Sequence, residues 1–464
     1  MNMRTQKFVC TLILALVSSV ASLAQKQTPP EGGPPKPFKL PQKQIFALAN
    51  GVQVTMVPYG EIPKVTVSVT VRAGNLNETA EQVWLADLTG EMIKEGGTTT
   101  RSAEQVAEEA ASMGGTIDVG VGPDQTTISS DVISDFAPKV VALLADVSQH
   151  PELPESELPR LKQNLLRRLT VQKSRPQPLA QEQFYKILYP DHPYGRIFPT
   201  DQMLNGYTLP NVQKFYKDNF GGARTHIYVA GKFDPAAVKK AITASFSSWA
   251  RGPEPLINIP KPVAKRQLEL VDRPGAPQST LYIGLPTINP SNPDYIPLQV
   301  MNALLGGSFA SRITSNIREQ KGYTYSPNSQ LSSRYRDAYW LQVADVTTQF
   351  TGPSIKEIFS EIDRLRTEPP TEQELQGIKN YVSGVFVLRN STRGGVIAQL
   401  QFVDLHSLGD NYLDTYLQKV LAVTPQQVEQ MAQKYIRPSE MTIVVVGDKS
   451  KVADQIATYQ SSGE

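Results

Sequence analysis

The feature that most constrains this chain is a repeat. TLPNVQKFYKDNF at 208–220 resembles TPQQVEQMAQKYI at 424–436, and IYVAGKFD at 227–234 resembles IVVVGDKS at 443–450. The separations agree: 424 − 208 = 216 and, between the glycines, 447 − 231 = 216. Upstream, Glu157-Leu158-x-x-Leu161-Lys162 returns as Glu374-Leu375-x-x-Ile378-Lys379, and 374 − 157 = 217. Leu88-Thr89-Gly90 falls opposite Leu304-Leu305-Gly306, again 216 apart. Four matches at nearly one register imply an internal duplication. The 464 residues are also too many for one ordinary core.

The segments between the matches mix both periodicities. KVTVSVTVR at 64–72 alternates as a strand, TIDVGVG and QTTISSDV flanking Pro123-Asp124 read as a hairpin, and 81–95, 102–113, 135–149 and 155–172 carry helical spacing. The expected fold class is therefore α+β, with two homologous domains, each a mixed, mostly antiparallel sheet covered by helices on one side. The domains are placed at 45–251 and 266–460. Residues 252–265, GPEPLINIPKPVAK, form a Pro-rich linker.

The first 24 residues read as a secretory signal peptide: Arg4 and Lys7, an apolar run Phe8–Val17, then small residues at Ser22 and Ala24. Residues 25–44 read as a Pro/Gly-rich tether. The expected location is across the inner membrane, in the periplasm. The single cysteine, Cys10, leaves with the signal, so no thiol chemistry is expected. Removing Arg4 and Lys7 leaves 46 − 2 = 44 basic against 44 acidic side chains. That balance points to no nucleic-acid partner, and no membrane span is expected after processing.

The chemistry-bearing residues are sparse. The four histidines, His150, His192, His226 and His406, lie nowhere three or four residues apart, so no helical zinc pair exists. His192 in YPDHPYGR reads as a loop cap, and His226 and His406 read as structural. No G-x-S-x-G elbow, P-loop or dinucleotide fingerprint is present.

The repeat, the linker and several phrases in order resemble the pitrilysin/insulinase family of inverted zinc peptidases, in its two-domain, processing-peptidase-like branch. The phrases are LANGVQVTMVP, VTVRAG, WLADLTGEMIKEGGTTTRS, YPDHPYGR and LLGGSFASRITSNIREQKGYTYS. The resemblance implies one clamshell half. It also implies a His-x-x-Glu-His helix where this chain has Asp87, Gly90 and Glu91, with Gly90 at the glutamate. The further glutamate ligand is implied in the helix containing 163–168, where Arg167 and Arg168 stand. Asp87 and Glu91, one turn apart, are expected to form a solvated face.

From its second domain the resemblance implies an Arg and a Tyr that approach the scissile peptide. Arg318 and Tyr325 have the spacing, with Tyr325 expected on a strand after a turn at Gly322 and Tyr323 as its rival. Substrate is implied to pair as a strand, for which the hairpin 115–132 is the candidate edge. These implications give a zinc-less subunit with no cofactor of its own. Its implied partners are a zinc-bearing homologous peptidase subunit and extended peptide substrates. The alternative is a non-catalytic scaffold or peptide-binding protein on the same fold.

Overall fold

Two sheets repeat one strand order. In the computed structural model, which describes residues 38–460, the first sheet runs β1-β2-β6-β3-β5-β4 and the second β7-β11-β8-β10-β9. The first comprises β1 (Gln44–Ala47), β2 (Gln53–Pro58), β3 (Lys64–Val71), β4 (Asp118–Val121), β5 (Thr126–Ile133) and β6 (Thr225–Gly231). The second comprises β7 (Gln267–Asp272), β8 (Gln278–Thr287), β9 (Asn328–Arg334), β10 (Asp337–Thr347) and β11 (Thr442–Gly447). Apart from the extra β1, the orders superpose. In each, one pair is parallel (β2 with β6, β7 with β11) and the other neighbours are antiparallel. The duplication read from the 216-residue register is thus present as a repeated topology.

The first half carries α1 (Leu85–Glu95), α2 (Ala103–Ser112), α3 (Ala137–Gln149), α4 (Leu158–Ser174), α5 (Pro176–Leu188), α6 (Asp201–Gly206), α7 (Leu209–Asn219) and α8 (Pro235–Phe246). The second carries α9 (Tyr295–Asn302), α10 (Arg312–Thr314), α11 (Thr351–Thr367), α12 (Glu372–Arg389), α13 (Arg393–Leu405), α14 (Tyr412–Ala422), α15 (Pro425–Tyr435) and α16 (Lys449–Ile456).

The expectation that helices cover each sheet on one side is incomplete. Along β8, Leu281, Ile283 and Leu285 face the second half's own helices, while Tyr282 faces a separate core built on Phe184 and Leu188 of α5. Reciprocally, α13 lies on the first sheet: Gln401 Nε2 donates to Thr70 Oγ1 at 2.8 Å, and Arg393 forks onto Asp131 at 3.0 and 3.1 Å. Each half lends one helix to the other's sheet. Central strands buried on both faces lose the simple alternation of a one-sided sheet, so β8 reads as a nearly continuous buried run.

Residues 38–43 of the stretch read as a tether lie against the second half. Phe38 meets Phe386 edge-on at 5.0 Å, and Lys43 pairs with Asp410 at 3.1 Å. The signal-peptide reading and residues 25–37 of the tether lie outside the described residues. Among the described residues no helix is long and apolar enough to cross a membrane.

Candidate functional site

The helix at the degenerate motif is α1. Leu85, Leu88, Met92 and Ile93 are buried and set its inward face. It opens at Trp84, whose backbone is left-handed (φ 68°), an uncommon conformation for a bulky residue. The first turn is held by Glu78, which accepts the Ala86 N–H at 2.8 Å. Burial pushes the Glu78 carboxyl up to about 8, against the pull of that N–H, so it is mainly protonated at neutral pH.

Asp87 is not part of a solvated face, which corrects the expectation above. Arg168 donates to its Oδ1 and Asn75 to its Oδ2, the latter at 2.8 Å. The Arg168 guanidinium also lies 4.1 Å from the Trp84 ring centroid. Helix α4 therefore does bring residue 168 against the motif helix, where it meets a carboxylate with a cation. Glu91 lies one turn on, half-buried.

Gly90 is buried beneath the hairpin. A Cβ there would lie 2.5 Å from Val121 Cγ2 on β4. Its repeat counterpart Gly306 is pressed in the same way, with a Cβ 2.6 Å from Ser329 Oγ on β9. In both halves glycine stands where a hairpin crosses the helix, a packing reason that would hold without any chemistry. Among the described residues no group of three or more His, Cys, Asp or Glu is arranged to hold a metal ion.

The described histidines have separate structural environments. His192 Nδ1 accepts the Tyr194 N–H at 3.3 Å, capping the turn Pro193–Gly195 as its sequence context suggests. His226 stacks on Tyr228 at 4.1 Å and bonds Thr55 Oγ1 at 2.8 Å, and burial pushes it down to about 4. His406 is buried just past α13 and is pushed down to about 4, by burial first and then by Arg72.

In the second half Arg318 sits in a wide helical turn, Ser315–Gln320, that follows α10; such insertions locally redirect a helix face. Gly322 (φ 66°) reverses the chain, and the Tyr323 N–H returns to the Ile317 carbonyl at 2.8 Å. The Arg318 guanidinium lies between two exposed rings, 4.5 Å from the centroid of Phe309 and 4.8 Å from that of Tyr325. Tyr325 is 78% exposed. It stands on a loop rather than a strand. Thr324 makes one isolated bridge to Val346, and Pro327, which has no N–H, precedes the start of β9 at Asn328. Tyr323 instead stacks on Phe350 at 4.4 Å. The hairpin 115–132 forms as β4 and β5, with β4 at the end of its sheet.

Asn75 and Glu78, which hold Asp87 and the first turn of α1, carry no local sequence signature. They lie in and just after a single tight helical turn, Asn75–Asn77, ahead of α1, at no spacing that a longer helix or strand period would mark.

Two family models match consecutive parts of the chain: insulinase (peptidase family M16) over residues 57–200 and peptidase M16 inactive domain over 207–382. The chain belongs to the M16 peptidase family. This M16 chain is 26% identical over 335 residues to a Rickettsia felis protein named an uncharacterized zinc protease, covering 71% of the chain and 80% of that protein. A Bacillus subtilis protein of the same description is 24% identical over 396 residues, 84% and 94% of the two chains. The fold is similar to that of a peptidase M16 inactive domain from Pseudomonas fluorescens, with TM-score 0.80, 23% identity and coverage of 87% and 98%. It is also similar to a Helicobacter pylori protease, with TM-score 0.82, 19% identity and coverage of 88% and 100%.

Proposed function

We propose that this chain is the zinc-less subunit of a heteromeric M16 peptidase, secreted to the periplasm and active on unfolded peptides beside a zinc-bearing homologous subunit. The observation that carries the reading is a contrast between the halves. In the first, Asp87 is engaged by Arg168 and Gly90 is roofed by Val121. In the second, Arg318, half-buried and paired with Glu319 at 3.0 Å, lies against the exposed ring of Tyr325.

The donor set at the first position does not fit zinc. A guanidinium has no lone pair to give, Asp87 is already neutralised by it, and no imidazole stands at either histidine position. At the second, Arg318 offers a fork of N–H donors to peptide carbonyls, and the Tyr325 hydroxyl can donate to an oxygen that gains charge during hydrolysis. Tyr325 suits this better than Tyr323, whose ring is committed to Phe350. An extended peptide would add to the outer edge of β4, where main-chain pairing reads extension more than side-chain identity.

The test is reconstitution. The chain alone should leave an unstructured peptide intact, and adding a zinc-bearing homologue should produce cleavage well above that of the homologue alone. If the homologue alone matches the mixture, the subunit reading fails and the scaffold reading takes its place.

A further inference from the structure

A cavity of about 500 Å³ opens beside the motif helix, lined by Trp84, Arg168, Tyr185, Tyr194, Arg196 and Arg334 among others. We propose that it binds an organic carboxylate carried on an apolar or aromatic group, such as the C-terminal residue of a peptide. The inference does not rest on the peptidase reading, since neither Arg318 nor Tyr325 lines the cavity.

Three guanidiniums reach it from separate elements: Arg168 from α4, Arg196 from the loop after Pro193–Gly195, and Arg334 from the end of β9. Only Arg168 has a carboxylate partner within 4.0 Å among the described residues, namely Asp87. Arg334 donates only to neutral groups, to Tyr185 Oη at 3.2 Å and to Ser332 Oγ and the Ser333 carbonyl at 3.3 Å. Its guanidinium is ringed by Tyr185, Tyr194 and Tyr339, with centroids 5.7 to 5.9 Å away. Two carboxyls in the same region, half-buried Asp124 and buried Asp337, each accept a tyrosine hydroxyl, from Tyr194 and Tyr189 respectively, and feel the Arg334 charge without bonding to it.

Positive charge drawn from water with no carboxylate bonded to it, as at Arg196 and Arg334, is costly. A planar guanidinium fork matches a carboxylate through two parallel hydrogen bonds. The aromatic walls add the apolar contact that an inorganic anion would not use. The volume falls within the ordinary range for small-ligand sites, ~300–1,000 Å³. Trp84, which lines the cavity, has a left-handed backbone just before α1, and strained residues gather at binding sites.

The test measures fluorescence anisotropy of the purified protein with a fluorescein-labelled peptide Gly-Ser-Gly-Ala-Phe bearing a free C-terminal carboxylate, and with the same peptide as its amide. The carboxylate peptide should bind saturably and the amide about tenfold more weakly or worse. Arg196→Met should cost the carboxylate peptide a similar factor and leave the amide unchanged. Arg334→Met should do the same if its thermal melt matches wild type; if it does not fold, Arg196→Met decides alone. Equal affinity for the two peptides overturns the proposal. So does absence of binding, an unchanged Arg196→Met, or inorganic phosphate competing as well as the carboxylate at equal ionic strength. Displacement by 3-phenylpropionate assigns the site to small organic acids, and failure to displace assigns it to peptide termini.

Discussion

Arg168 on α4 donates to Asp87 on α1 across 81 residues of sequence, and the same guanidinium covers the ring of Trp84. The contact occupies the place where the M16 resemblance implies metal ligands from these two helices. It joins the helices by charge instead. Because Arg168 stays 40% exposed at its side chain, the pair is screened by solvent. We expect Asp87→Asn to lower stability by about 1 kcal/mol, read as a shift in the urea midpoint at unchanged slope. Loss of more than about 3 kcal/mol would mark the pair as a buried one.

The same arrangement predicts no stoichiometric zinc. Elemental analysis of the purified protein after dialysis should find well under one zinc per chain. About one per chain would show that other residues form a site.

Gly90 is expected to resist even the smallest side chain. Alanine ordinarily favours a helix over glycine by about 1 kcal/mol, but here its Cβ would approach Val121 Cγ2 to 2.5 Å. Overpacking should win, with Gly90→Ala destabilising by about 1–3 kcal/mol. Adding Val121→Ala should recover much of that loss. Strict additivity in the double mutant would remove the clash as the cause.

Phe184 tests the exchange of helices between halves. It is fully buried on α5, and a Cβ at Gly284 of β8 would lie 2.8 Å from its ring. Phe184→Ala should cost about 3–5 kcal/mol. If α5 holds the halves together, thermal unfolding should also broaden or split into two transitions. A small loss with one sharp transition would show that α5 adds little to their coupling.

The pH dependence centres on Glu78. Its carboxyl is raised from 4.5 to about 8 by burial, so the folded chain binds a proton that the unfolded chain releases. The stability it contributes is therefore complete below about pH 4.5 and is lost as pH rises through about 8. Glu78→Gln should flatten that decline relative to wild type, because the amide oxygen still accepts the Ala86 N–H. Parallel stability profiles for the two proteins between those limits would rule Glu78 out.

For the reconstituted pair, Tyr325→Phe should lower kcat by about 10²–10³, the usual cost of one oxyanion donor. Arg318→Ala should reduce kcat/KM at least as much. Tyr323→Phe should be nearly silent, since its stacked ring remains against Phe350. Complex formation, checked by sizing, should survive all three. A damaging Tyr323→Phe with a silent Tyr325→Phe would exchange the roles of the two tyrosines.

The strands at 64–72 and 225–233 and the first half's helices were legible because each is a periodic pattern at short range, and the duplication because four matches keep one register of 216–217 residues. The recurrence of Leu88-Thr89-Gly90 as Leu304-Leu305-Gly306 marked equivalent positions in the two halves, and only the packing shows that a hairpin crosses both glycines. Tyr325 is expected on the strand that follows the Gly322 turn, but after one bridge at Thr324 that strand starts only at Asn328, past Pro327. What only the tertiary structure decided are relations between distant segments: Asp87 with Arg168, Gly90 beneath Val121, α5 and α13 exchanged between sheets, and arginines from three elements around one cavity. None leaves a periodic trace, since a charge pair or a steric limit depends on which surfaces meet, and that is set by how the two halves pack rather than by spacing along either one.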